Sequence, residues 1–214
     1  STAEPPPVRF PRRRMTFYSF FLMLIGSLGL LGSPLEAFER TEEREACAKH
    51  DPQRRPLFGD LHVHSRYSFD SYISSQRNDP WDTYRYAKGE PITLPDPDGE
   101  QNVTAKLRRP LDFAALTDHA ELLGEMNICT SDEFSLGRYA PLCLMTRSNI
   151  IYVQFLAADW WKNLGVDRGK SADRSVICDL PGSDCPKSLL EFWGNIQRAA
   201  EDHYDRSANC EFTT

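Results

Sequence analysis

Apolar and polar residues alternate along this chain in three distinguishable ways. Between Leu57 and His64 an apolar start passes through Leu61 and Val63 with polar residues between, then stops at a serine- and aspartate-bearing stretch, Ser65 to Ser71. That period of two predicts a short strand feeding a loop. Leu111 to Thr117 repeats the device and ends in Asp118-His119. Cys210 to Thr214 reads as the start of a third strand. A period near 3.6 appears later: Ile150, Val153, Ala157, Trp160 or Trp161, and Leu164 predict one helix, and Leu189, Trp193, Ile196, Ala200 and Tyr204 a second, with Pro186 in its first turn. The loop between them is bracketed by cysteines, so the pair is expected to form a helical hairpin, either a lid over the site or an insertion packed away from it. Asp79, Pro80 and Gly89 bound a shorter helix as cap, first-turn proline and stop. Its aromatics, Trp81, Tyr84 and Tyr86, are expected to pack rather than line a groove. Pro91 to Leu94 and Val103 to Leu107 flank Pro95 to Gly99, the pattern of a hairpin with an Asp-Gly turn.

The third pattern has no polar face. Phe17 to Leu31 is apolar over 15 residues. It follows a Pro-rich basic leader ending in Arg12-Arg13-Arg14 and precedes Gly32 to Ala37. These are the basic, apolar and small-residue zones of a secretory signal, with cleavage expected after Ala37. An uncleaved membrane anchor is the alternative, although a span needs about 20 apolar residues. Residues 38–55 mix both charge signs and read as a solvated linker, so a folded region is expected over 56–214.

The 214 residues are 40% hydrophobic, enough for one core. A net charge of −6 argues against a nucleic-acid partner. All six cysteines follow the signal-like segment, as suits a periplasmic or extracellular protein with disulfides. Cys178 with Cys185 and Cys129 with Cys143 are local options, and the connectivity stays open. Asn102-Val103-Thr104 fits a glycosylation sequon, relevant only in a host that glycosylates.

The chemistry concentrates at the strand ends. In a strand His62 and His64 share a face, and Asp70 lies close enough to fold back toward them. Alone, such a pair is commonly two surface histidines; a second cluster at His119 favours a metal site. Asp60, Asp118 and Glu121 are carboxylates placed to support ligands rather than to act as them, Asp118 either orienting a histidine or capping a helix near Ala120. Arg108 and Arg109 are solvated or meet an anion. His203 reads as a packed histidine, and His50 has no supporting partners.

At these residues the chain resembles a known family. His62-Val63-His64 with Asp70, followed by Thr117-Asp118-His119, is similar to the first two motifs of the PHP (polymerase and histidinol phosphatase) superfamily. The surrounding residues, Phe58 to Ser65 and Leu111 to Gly124, resemble its secreted branch, the domain of unknown function 3604. The resemblance implies an α/β fold: the N-terminal portion of a distorted β/α barrel, with a hairpin insertion at about 90–108 and a helical insertion at about 127–209. It further implies two or three divalent ions (Zn, Mn or Fe) at the barrel mouth, held by His62, His64, Asp70 and His119, and hydrolysis of a small anionic substrate, a phosphate ester. No general base is identified. The superfamily's later motifs, a Glu, further histidines and a final Asp-x-His, are not in these 214 residues, so a C-terminally truncated barrel is expected. An amidohydrolase-type enzyme and a non-catalytic metal-binding module are the other readings.

Overall fold

The computed structural model describes residues 45–51, 53–94, 103–168 and 175–214. The signal-like segment, the Asp-Gly turn, Asn102 of the sequon and the first residues of the linker lie outside them.

Two parallel strands carry the site. Strand β1, Gly59–Val63, pairs with β4, Phe113–Leu116, with Gly59 opposite Phe113 and Val63 opposite Leu116. The strands approach closely because residue 59 is glycine: a Cβ there would lie 2.3 Å from Phe113. Register slips between Asp60 and Val63, where the Asp60 carboxylate accepts the His62 backbone N–H at 2.9 Å in place of a strand partner. The other edge of β4 receives the C-terminal segment through a parallel bridge from Phe113 to Thr213, as the third-strand reading anticipates. Ala114 N–H donates to the Thr213 carbonyl at 3.0 Å, and Thr213 N–H to the Asp112 carbonyl at 3.1 Å. These residues make a small parallel sheet in a mixed α/β chain, and no barrel is formed among the described residues.

Between β1 and β4 lie α1, Phe69–Ile73, α2, Pro80–Ala87, and an antiparallel pair, β2 (Ile92–Leu94) with β3 (Val103–Ala105). Helix α2 starts where its sequence says: Asp79 and Asp82 form a reciprocal capping box around Pro80, and Gly89 ends the helix region at φ +79°. Tyr84 is buried and accepts the Leu116 N–H, while Trp81 donates to Asp202 at 2.8 Å, so the aromatics of α2 do pack.

The segment read as two helices contains more. After a 3₁₀ turn, Ala120–Leu122, come α3, Leu123–Thr130, and a second 3₁₀ turn, Gly137–Tyr139. Then follow α4, Pro141–Thr146, α5, Ile151–Arg168, α6, Val176–Asp179, and α7, Cys185–His203. The two long helices pack mainly on other partners: α5 on α4 and α1, α7 on α3 and α2. Their sequence separation is short, but each finds a better apolar face elsewhere, so the expected hairpin is replaced by a layer. On α7 the buried face is Phe192, Ile196 and Ala199, turned from the predicted one, and Trp193 is left 46% exposed. Helices α3 and α7 meet at Gly124, where a Cβ would stand 2.4 Å from the Cys185 carbonyl oxygen.

One core joins Leu122, Leu123, Met126, Trp161, Phe192 and Ile196 with Tyr67 and Phe69 from the loop after β1. A smaller one sets Ala114 and Phe212 against Tyr84, Ala87 and Ala199. Three disulfides close the chain: Cys129–Cys143 and Cys178–Cys185, the two local options, and Cys47–Cys210, which ties the segment before β1 to the C-terminal strand. They suit an oxidising, extracytoplasmic environment. No helix among the described residues is long and apolar enough to cross a membrane.

Candidate metal centre

Parallel pairing puts the C-terminal ends of β1 and β4 side by side, and the ligand-type residues emerge there. His64 leaves the chain one residue past β1, and His119 three residues past β4. Asp70 comes from the first turn of α1, whose position is fixed by its neighbours. Tyr67 stacks on Phe192 with ring centroids 3.6 Å apart, and Phe69 lies between Trp161, at 6.1 Å, and His119, at 4.7 Å. Burying these two rings in the helical core turns Asp70 back over the strand ends.

The result is a three-residue group. One donor atom each from His64, Asp70 and His119 lies within 4.8 Å of the others. His64 Nδ1 is 3.0 Å from Asp70 Oδ2, and His119 Nε2 is 3.5 Å from the same oxygen. Two imidazole nitrogens converging on one carboxylate are a donor set that could hold a metal ion. The group is accessible: the His64, His119 and Asp70 side chains are 17%, 35% and 43% exposed. Asp70 is also held by the Ser71 N–H, 2.7 Å from Oδ1.

His62 stands beside this group rather than in it. Its ring centroid is 5.0 Å from that of His64, and it is exposed within β1. The alternation that places both histidines on one side is respected, but the turn after Val63 carries only His64 to Asp70.

The carboxylates read as supporting residues take three different roles. Glu121 Oε1 lies 2.9 Å from His119 Nδ1, so it braces the ring at the nitrogen opposite the one that faces Asp70. Asp60 braces the β1 backbone. The Asp118 carboxylate makes no hydrogen bond to a ligand histidine's ring and caps no helix; the 3₁₀ turn after it has no side-chain cap. Its carboxylate instead accepts the Ser65 N–H at 2.6 Å and the Ser65 hydroxyl at 2.7 Å. Burial pushes the Asp118 carboxyl above its ordinary range, against the opposing pull of the Ser65 bonds, the Ser68 side chain and the nearby His64.

Ser65 and Ser68, both fully buried, are the residues that sequence reasoning passed over. Their only signal is position, two small hydroxyl residues one and four places after His64. Arg108 and Arg109 precede β4 and so lie toward the N-terminal ends of the strands, away from the ligand group; the Arg109 guanidinium sits over the Phe58 ring at 4.7 Å. His203 is half-buried against Tyr84, with ring centroids 5.7 Å apart. A second cluster, Glu125 with Cys178 and Cys185, also gathers metal-type donors, but its two sulfurs are joined in a disulfide.

No curated protein and no solved structure matches the chain. A family model does, over residues 51–214, which include β1, β4 and every residue of the ligand group. The chain that builds this centre therefore belongs to the family described as protein of unknown function, DUF3604.

Proposed function

We propose that this chain carries the metal-binding portion of an exported, PHP-type metal-dependent hydrolase acting on a small anionic substrate of the phosphate-ester class. The observation that carries the reading is the convergence of His64, Asp70 and His119 at the C-terminal ends of adjacent parallel strands. That is where α/β folds, including barrels, place their ligands. The three disulfides and the signal-like run before residue 38 favour export.

His64, Asp70 and His119 would hold a divalent ion, with His62 the nearest further imidazole. A bound ion of this kind polarises a substrate oxygen and lowers the pKa of a bound water toward about 7. The chain's own residues prepare the site for it. Glu121 braces the His119 ring at Nδ1, Phe69 closes the side of His119 that faces the core, and Ser71 N–H fixes the Asp70 rotamer. With Arg108 and Arg109 toward the far end of the sheet, substrate charge would be met by the ion itself. The exposure of the ligands leaves the approach open on the solvent side.

The non-catalytic reading draws on a specific observation: three protein ligands suit one ion, whereas a two- or three-ion cluster needs more. One experiment separates the readings. The chain from about residue 38 is loaded with Zn²⁺, Mn²⁺ or Fe²⁺ in turn, bound metal is counted per chain, and turnover of a phosphodiester such as bis(p-nitrophenyl) phosphate is followed. Uptake and turnover that both disappear in His64→Ala and His119→Ala support the hydrolase. Uptake without turnover supports the non-catalytic module. Turnover of an amide or ester, with the phosphodiester untouched, moves the reading to the amidohydrolase type.

A further inference from the structure

Backbone pairing stops short of the ligands. The last ladder bond between the strands runs from Thr117 N–H to the Val63 carbonyl at 2.7 Å, with the Thr117 hydroxyl accepting the Val63 N–H at 3.0 Å. His64 and His119 both lie past it. Nothing in the sheet therefore sets the distance between their rings, and side chains that are partly exposed are not held by packing alone. Something beyond the ladder has to keep the two segments in register.

We propose that Asp118 is the positioning residue of the centre, fixing the His64 segment against the His119 segment through Ser65 and thereby setting the affinity for metal. This rests on the metal-binding reading above. Each tie lies one residue from a ligand: Asp118 precedes His119, and Ser65 follows His64. Both Asp118 oxygens are used on Ser65, one by its N–H at 2.6 Å and one by its hydroxyl at 2.7 Å, across 53 residues of sequence.

The serines complete a closed circuit. The Ser65 hydroxyl, donating to Asp118, accepts the Tyr67 N–H at 3.1 Å, which shapes the loop leading to Asp70. The Ser68 hydroxyl accepts the His119 N–H at 2.8 Å, and the Ser68 N–H donates to the Ser65 carbonyl at 3.2 Å. The Asp118–Ser65 and Ser68–His119 bonds thus tie the segments that carry all three ligands: Ser65 beside His64, Ser68 two residues before Asp70, and His119 itself. Both serines are fully buried, so water does not compete for these bonds, and the Ser65 hydroxyl is used as donor and as acceptor. Substituting Asn for Asp118 keeps the shape but turns one acceptor into a donor facing Ser65, which opens the circuit where the two segments meet.

The test uses Co²⁺ as probe, because its visible spectrum reports ligand geometry as well as occupancy. Wild type, Asp118→Asn, Ser65→Ala, His64→Ala and Asp79→Ala are titrated, and the thermal midpoint of each metal-free form is recorded. Asp118→Asn is expected to weaken Co²⁺ about 10- to 100-fold, the usual loss for a partner behind a metal ligand, and to shift the spectrum. Ser65→Ala, which deletes one hydroxyl and keeps the carboxylate, should move both readouts the same way by less. Asp79→Ala loosens a helix cap away from the centre and should lower the thermal midpoint without changing the spectrum. If Asp118→Asn and Ser65→Ala bind Co²⁺ with wild-type affinity and spectrum, or lose affinity only as they lose folded protein, the inference is overturned. Should Asp118→Asn not fold, Ser65→Ala decides the matter alone. Wild type that takes up no Co²⁺, or His64→Ala that binds as well as wild type, overturns the metal reading itself, a result distinct from failure of the positioning role.

Discussion

Helices α3 and α7 approach so closely at Gly124 that no side chain fits between them, whereas Leu61 of strand β1 and Leu57 and Phe58 just before it are more than half exposed. The helical region holds the fully buried Trp161, Leu122 and Met126 and two local disulfides. The strand-end region holds the ligand-type residues, only partly covered, and is bound together by hydrogen bonds. Stability and chemistry are thus assigned to different parts of the molecule, and the link between them is short: Tyr67 and Phe69 run from the ligand loop into the helical core. The contrast makes a general point about accessible centres. Their ligands cannot be buried, so the residues beside them are.

The contrast can be broken most forcefully at Trp161, which fills the core and donates its indole N–H to Thr146 at 2.8 Å. Trp161→Ala is expected to cost about 3–5 kcal/mol in urea unfolding. It should also loosen Phe69 and reduce metal uptake; retained uptake at full folding would show that the two regions are independent. Replacing Cys129 and Cys143 together by Ala, which opens a loop of 14 residues' separation, should cost about 3 kcal/mol and leave the ligand group in place.

At the strand ends the expected response is reversed. Zn²⁺ at about a hundred times its dissociation constant should stabilise wild type by about 2.7 kcal/mol, read as a rise in thermal midpoint. His64→Ala and His119→Ala should abolish that rise while changing the metal-free midpoint little, since surface substitutions usually stay within about 0.5 kcal/mol. A large metal-free loss in either variant would mean that the histidines are structural.

The smallest effect sharpens the comparison from the other side. Burial and the nearby Lys88 lower the His203 pKa, so the unfolded chain takes up a proton first as the pH falls. The stability that a neutral His203 preserves is complete above the unfolded value of about 6.5 and is lost as pH drops from there through the folded value. Urea midpoints at pH 7.5 and 5 should differ by less in His203→Gln than in wild type.

Much of the centre is legible from residue order. An alternating run that stops at His62-Val63-His64, a second that stops at Thr117-Asp118-His119, and Asp70 at a fixed distance need only local rules to be recognised, because strand periodicity and metal-ligand chemistry are properties of short segments. The capping of α2 by Asp79 and the two local disulfide options are readable for the same reason. Other features depend on contacts between distant segments. Helical periodicity marks α5 and α7 but not which neighbour each selects, so the hairpin gave way to packing on α4 and α3, and Phe192 took the buried place expected for Trp193. The pairing of Cys47 with Cys210 closes 163 residues and has no local signal. Asp118 shows most clearly where residue order stops being informative. Its neighbours in the chain suggest a helix cap or a partner for histidine, and only the parallel pairing of β1 with β4 brings Ser65 within 2.6 Å of it. A hydrogen bond is decided by distance and burial, and for residues 53 positions apart those are set by the fold.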